Sequence, residues 1–172
     1  MKLHILLAPL LAPLLAAACV SAPPRAGLAR PTPVFDPAIF FAGRTEGEGR
    51  LRIALRHAKA VRVHGRGHSS PDGTLVLDQT VEPEGDKPTT RQWRLRQTAP
   101  GRWQGTLSDA AGPVLATVQG NALHITFPMK GGLEAEQWLY LTPDGQTARN
   151  RMTVHKFGAG VAALSETIRR TG

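Results

Sequence analysis

Apolar and polar residues alternate along most of the chain from residue 50 onward. In "RLRIALRH", Leu51, Ile53 and Leu55 fall on one face and Arg50, Arg52 and Ala54 on the other; in "AVRVHGRG", Val61 and Val63 oppose Arg62 and His64. A period of two is the mark of a strand with one face turned to a core. The pattern continues through "GTLVLDQTVE", "RQWRLRQT", "GRWQGTLSD", "GPVLATVQ", "NALHITFP", "LEAEQWLYLT" and "ARNRMTVHKF", and turn-forming clusters such as "SSPDGT", "EPEGDKP", "KGGL" and "TPDGQ" separate the runs. The closing "AGVAALSETIRR" suits a helix by its alanines and a last strand by its position after "HKFG"; position favours the strand. About nine strands joined by short loops, with no helix long enough for a crossover, predict an all-β fold: a single antiparallel meander. Closing it into a barrel or half-barrel would hide its edges. Large aromatics are scarce, with three Trp and one Tyr, so the interior is expected either to be filled by aliphatic side chains or to hold a cavity for one small ligand.

The first residues follow another pattern. Lys2 precedes an apolar stretch from Leu3 to Leu15, and Ala16-Ala17-Ala18 leads to Cys19, the only cysteine. This is the layout of a secretory signal, and the run is too short and too interrupted by Pro9 and Pro13 for a spanning helix. Residues 1–18 are therefore expected to be a signal peptide. Two processing routes are open: ordinary cleavage after Ala18, leaving a free thiol, or lipidation. The stretch resembles the lipobox of bacterial lipoproteins, with Ala16 where Leu is usual. A lone thiol can form no internal disulfide, and lipidation of Cys19 would account for it. Val20 in the next position resembles the pattern that permits sorting to the outer membrane.

Residues 19–38, Pro-rich and without helical or strand periodicity, are expected to form the lipidated N-terminus and an extended tether. Residues 39–172 have the length of one domain with one core.

Several segments of that domain carry a resemblance: "FFAGRTEGEG" near its start, "RQWRL", "GRWQG" and "QGNAL" in the middle, and "EQWLYL" with "RNRMTVHKFG" towards the close. Together they resemble domain of unknown function 3833, a family of small bacterial lipoproteins, over the whole mature domain. The resemblance implies a lipocalin-like, calycin-type β architecture and a lipid-anchored place in the cell envelope, and no established activity; with Val20 after Cys19, the expected place is the inner, periplasmic face of the outer membrane. Where relatives are doubly acidic before the tryptophan, this chain has Glu136 and Gln137, so a paired-carboxylate role there is not expected.

Charge and chemistry narrow the reading. There are 21 Lys and Arg against 13 Asp and Glu, a net charge of +8. In an envelope setting the polyanions at hand are lipid phosphates, so no nucleic acid is expected as partner. Arginines recur in the strands at 50, 52, 56, 62, 66, 91, 94 and 96, which suggests one solvated basic sheet face. Arg44, Arg91, Arg151 and Lys156 lie within the family-like segments; with Trp93, Trp138 and Asn150 they are the candidate ligand-binding residues, the cations for the polar end of a fatty acid or phospholipid. The same side chains could instead close the barrel, pairing with Asp109, Glu136 or backbone carbonyls. No metal site is expected: His64 and His68, four apart on a strand, would stand about 13 Å from one another. "GHSSPDG" lacks the strand, elbow and helix of a serine nucleophile, and no glycine loop precedes a helix, so no catalytic residue and no cofactor is expected. The sequence thus points to a non-enzymatic envelope lipoprotein that binds a lipid or other amphipathic molecule, or alternatively to a filled-core interaction module with an envelope protein partner.

Overall fold

The computed structural model describes Val20 and residues 27–172. The expected signal peptide and Cys19 lie outside the described residues. A single helical turn, α1 (Pro37–Phe40), precedes ten strands: β1 (Gly43–Ile53), β2 (Lys59–Ser69), β3 (Leu75–Pro83), β4 (Thr89–Ala99), β5 (Arg102–Leu107), β6 (Val114–Gln119), β7 (Ala122–Met129), β8 (Leu133–Leu141), β9 (Thr147–Lys156) and β10 (Ala159–Arg170). Each pairs antiparallel with the next, and β10 returns to β1 over Thr45↔Arg170 to Ile53↔Ala162, so the meander is a closed barrel rather than a half-barrel. Residues 159–170 are strand, as their position suggested.

Sequence and structure differ at β1. The strand starts at Gly43, not near residue 50, and Leu55, expected on a strand face with Leu51 and Ile53, stands in the following turn, 96% exposed. The earlier half of β1 turns Thr45 and Gly47 inward, residues too small to register as an apolar face. Gly47 leaves room there: a Cβ would meet the carboxylate of Glu166 on neighbouring β10, which would have to shift.

The two ends of the barrel are unlike. At one, residues 28–42 form a plug. Asn121 fastens its start, accepting from the Arg30 amide (2.7 Å) and donating to the carbonyls of Leu28 and Leu141 (3.0 and 2.7 Å). Asp36 caps α1, accepting from the amides of Ala38 and Ile39, with Pro37 in the first turn where its missing N–H matters least. Phe35, Phe40 and Phe41 then pack on one another, Phe40 edge-on to Phe41 at 5.0 Å, and seal that end. Gly67 lets the Phe41 carbonyl lie against β2, where any side chain would collide. Of the stretch expected to be an extended tether, residues 28–36 are thus bound to the barrel, because its apolar residues have a core to enter and its backbone has partners. The other end, here the distal end, carries the turns 54–58, 84–88, 108–113, 130–132 and 157–158.

Inward residues from nearly every strand form one core: Leu75, Leu77, Trp93, Leu95, Trp103, Leu107, Val114, Leu123, Ile125, Phe127, Leu139 and Ile168 among them. Trp93 meets Phe127 edge to face at 5.5 Å.

Candidate functional site

Polar side chains interrupt this core on one side of the barrel's middle. On the paired strands β3 and β4, Gln79 faces Arg91, and its Oε1 accepts from Arg91 Nε (2.9 Å) and Trp93 Nε1 (2.8 Å). Strand alternation sets this arrangement: Gln79 follows Leu75 and Leu77 on the inner face, and Arg91 precedes Trp93 and Leu95. The Arg91 guanidinium also lies 5.6 Å from the Trp93 ring centre. Neither of its Nη atoms makes a hydrogen bond to a described residue. Burial pulls the guanidinium down from its usual high pKa, and the charges of Asp109 and Glu166 act against that.

Across the barrel, Glu166 is buried and accepts from Asn150 Nδ2 at 2.8 Å, its register partner on β9. Burial pushes the Glu166 carboxyl above the usual carboxylate range; the Asn150 hydrogen bond and Arg91 pull the other way. The Oδ1 of Asn150 is buried without a partner. Between the two sides lies an interior cavity of about 30 Å³, room for a water molecule or two. Gln79, Arg91, Gln137 and Glu166 form its polar wall; Phe41, Leu75, Leu123, Leu139 and Ile168 are among its apolar lining. It is an amphipathic space: Gln79 and Arg91 on one side and Glu166 opposite offer polar groups, and the rest of the lining offers hydrocarbon.

The structure brings three of the seven sequence-named ligand residues to this interior: Arg91, Trp93 and Asn150. The other four stand elsewhere. Trp138 and Arg151 face outward on β8 and β9, side by side in register. Trp138 stacks on His124 (3.9 Å between ring centres) and donates to Glu136 Oε1 at 3.1 Å, which also contacts His124 Nε2 at 3.0 Å. Arg151 donates from Nη1 to the Asn150 carbonyl (3.0 Å), while its Nε is buried without a partner; burial and the nearby charge of Arg149 lower its pKa. Arg44 points outward from the plugged end of β1, exposed, and Lys156 ends β9 at the distal rim over the Phe157 ring. Gln79, Gln137 and Glu166 were not anticipated, although the signal was there: each is a polar residue whose neighbours two places away are apolar on the same strand.

A family model described as "Protein of unknown function (DUF3833)" matches residues 14–170. This chain belongs to the DUF3833 family. No curated protein sequence matches it. Among solved structures, this DUF3833 barrel is similar to Rv2717c from M. tuberculosis (TM-score 0.62, 15% identity, 80% of this chain and 99% of that one). It is also similar to the S-type phycobiliprotein lyase CPES from Guillardia theta (TM-score 0.60, 11% identity, 76% and 88%). A third likeness is to a protein of unknown function from the DUF3598 family of Nostoc punctiforme (TM-score 0.58, 13% identity), of which the alignment spans 50% against 81% of this chain. At such identities the likeness is one of fold: a lipocalin-like antiparallel barrel.

Proposed function

We propose that this DUF3833 protein is an envelope lipoprotein, acylated at Cys19 and held at the inner face of the outer membrane, whose barrel binds a small amphipathic molecule. The ligand class is a fatty acid or phospholipid. One observation carries the reading: the half-buried Arg91, whose Nη atoms bond no described residue, lines a cavity that combines a few polar side chains with a largely apolar remainder. A guanidinium so placed suits a carboxylate or phosphate oxygen, and hydrogen bonds to a charged partner contribute about 1.5–3 kcal/mol. Trp93 and Gln79 hold Arg91 in position, and Asn150 holds Glu166. A tail would take the space towards Phe41, so loading requires the phenylalanine plug or the side chains around it to give way.

The small volume of the cavity favours a second reading, a filled barrel that works through its surface with an envelope protein partner. Titration of the full chain with a dansylated fatty acid separates the two. Binding that weakens about tenfold or more in Arg91→Leu and stays unchanged in Arg151→Ala is the result expected of the interior site. No binding by the parent chain, or an equal loss in both variants, would speak for the filled barrel.

A further inference from the structure

Among the described residues, Leu55 and Phe157 are the non-glycine residues with positive φ, 63° and 51°. Both stand at hairpin tips of the distal end, 96% and 95% exposed. Glycine or asparagine suits such a tip; a large apolar side chain is disfavoured there both by its backbone and by its exposure. Single exposed apolar residues are ordinary on soluble proteins. Here two of them stand on turns at the same end of the barrel. The turns that carry them flank the start of β10, where the Ala54 amide donates to the Val161 carbonyl (2.8 Å) and the Val20 amide donates to the Gly160 carbonyl (2.9 Å). Ile53, 37% exposed, adds to the same corner.

The charges around the corner have one prevailing sign. Arg52, Arg56 and Lys156 are exposed there beside His57 and His155, and Glu134, in register with His155, is the nearby acid. On the next turn, Glu84 accepts from the Ala60 amide and Asp86 pairs with Lys59 at 2.7 Å, so those two acids are engaged locally. Apolar tips ringed by cations fit the boundary between acyl chains and anionic headgroups.

We propose that this corner of the distal end is where the barrel rests on a bilayer, Leu55 and Phe157 entering the acyl boundary and Arg52, Arg56 and Lys156 lying on lipid phosphates. Val20 is fixed at the same corner and directly follows Cys19, so an acylated Cys19 would leave the protein where the tips enter. That last point rests on the anchoring read for Cys19 above; the tips themselves do not.

The test uses the full chain carrying Cys19→Ser, which removes both acylation and the competing thiol, with a nitrobenzoxadiazole probe on His57→Cys or, at the plugged end, on Gln146→Cys. Vesicles of phosphatidylethanolamine and phosphatidylglycerol should brighten and blue-shift the probe at 57 and leave the one at 146 in water. Phosphatidylcholine alone should bind more weakly. Adding Leu55→Gly and Phe157→Gly should lower vesicle partitioning by about tenfold or more, with melting temperature unchanged or raised, since glycine accepts both backbone conformations. The leader is common to every variant and drops out of that comparison. An equal response at 57 and 146, or partitioning indifferent to the glycine pair, would overturn the proposal. Mass spectrometry of the unaltered chain from its own cells tests acylation separately: an unmodified Cys19 would remove the anchor and leave the vesicle result standing.

Discussion

Glu166 is held neutral more readily than an exposed carboxyl because burial penalises its charge by more than Asn150 and Arg91 favour it. A carboxyl whose pKa is raised on folding contributes most to stability below its unfolded pKa, and that contribution is lost as pH rises through the folded value. Glu166→Gln, which keeps an oxygen for Asn150 Nδ2, should therefore melt with the parent at about pH 3 and above it at about pH 8. A variant less stable than the parent at the higher pH would show that the Arg91 charge needs its partner more than burial resists it. Gly47→Ala probes the same group from β1: its methyl would displace the Glu166 carboxylate, and the variant should unfold at lower denaturant concentration. This interior was half legible in the sequence. Arg91 and Trp93 stood out because they lie in the family-like "RQWRL", whereas Glu166 sits in "LSETIRR", where two arginines suggest a solvated strand end.

The plug depends on one side chain more than on its own helical turn, which at four residues is too short to hold itself. Asn121 satisfies backbone groups of residues 28, 30 and 141, and Asn121→Ala leaves them unpaired in a buried setting; a loss of about 2–3 kcal/mol in denaturant unfolding is expected. Phe40→Ala, in the aromatic cluster behind it, should cost about 3–5 kcal/mol. If both variants unfold with the parent, residues 28–42 do not seal the barrel in solution. Periodicity located the strands well because each has one buried face, and Asp-Gly and Gly-Gly turns marked their ends. It failed for the plug and for the start of β1. Residues 28–36 are ordered by bonds from Asn121 in the distant turn between β6 and β7, which leave no local pattern, and the inward face of early β1 is Thr45 and Gly47, chosen for room rather than for hydrophobicity.

At the scale of the molecule, the ten strands among the described residues close without a free edge; the barrel has a sealed end, a corner with exposed apolar and basic side chains at the other, and an interior mostly filled. Closure was legible as the economical solution to a long meander; how full the barrel would be was not, because that depends on which inward side chains meet across it. On the proposed function, this interior, small as it is, opens to an amphipathic molecule beside Arg91. Native mass spectrometry with lipid extraction, on the full chain purified from its own cells, tests this most directly. A stoichiometric lipid should accompany the parent and be absent from Arg91→Leu. A mass of protein alone, unchanged after incubation with fatty acids and phospholipids, would contradict it.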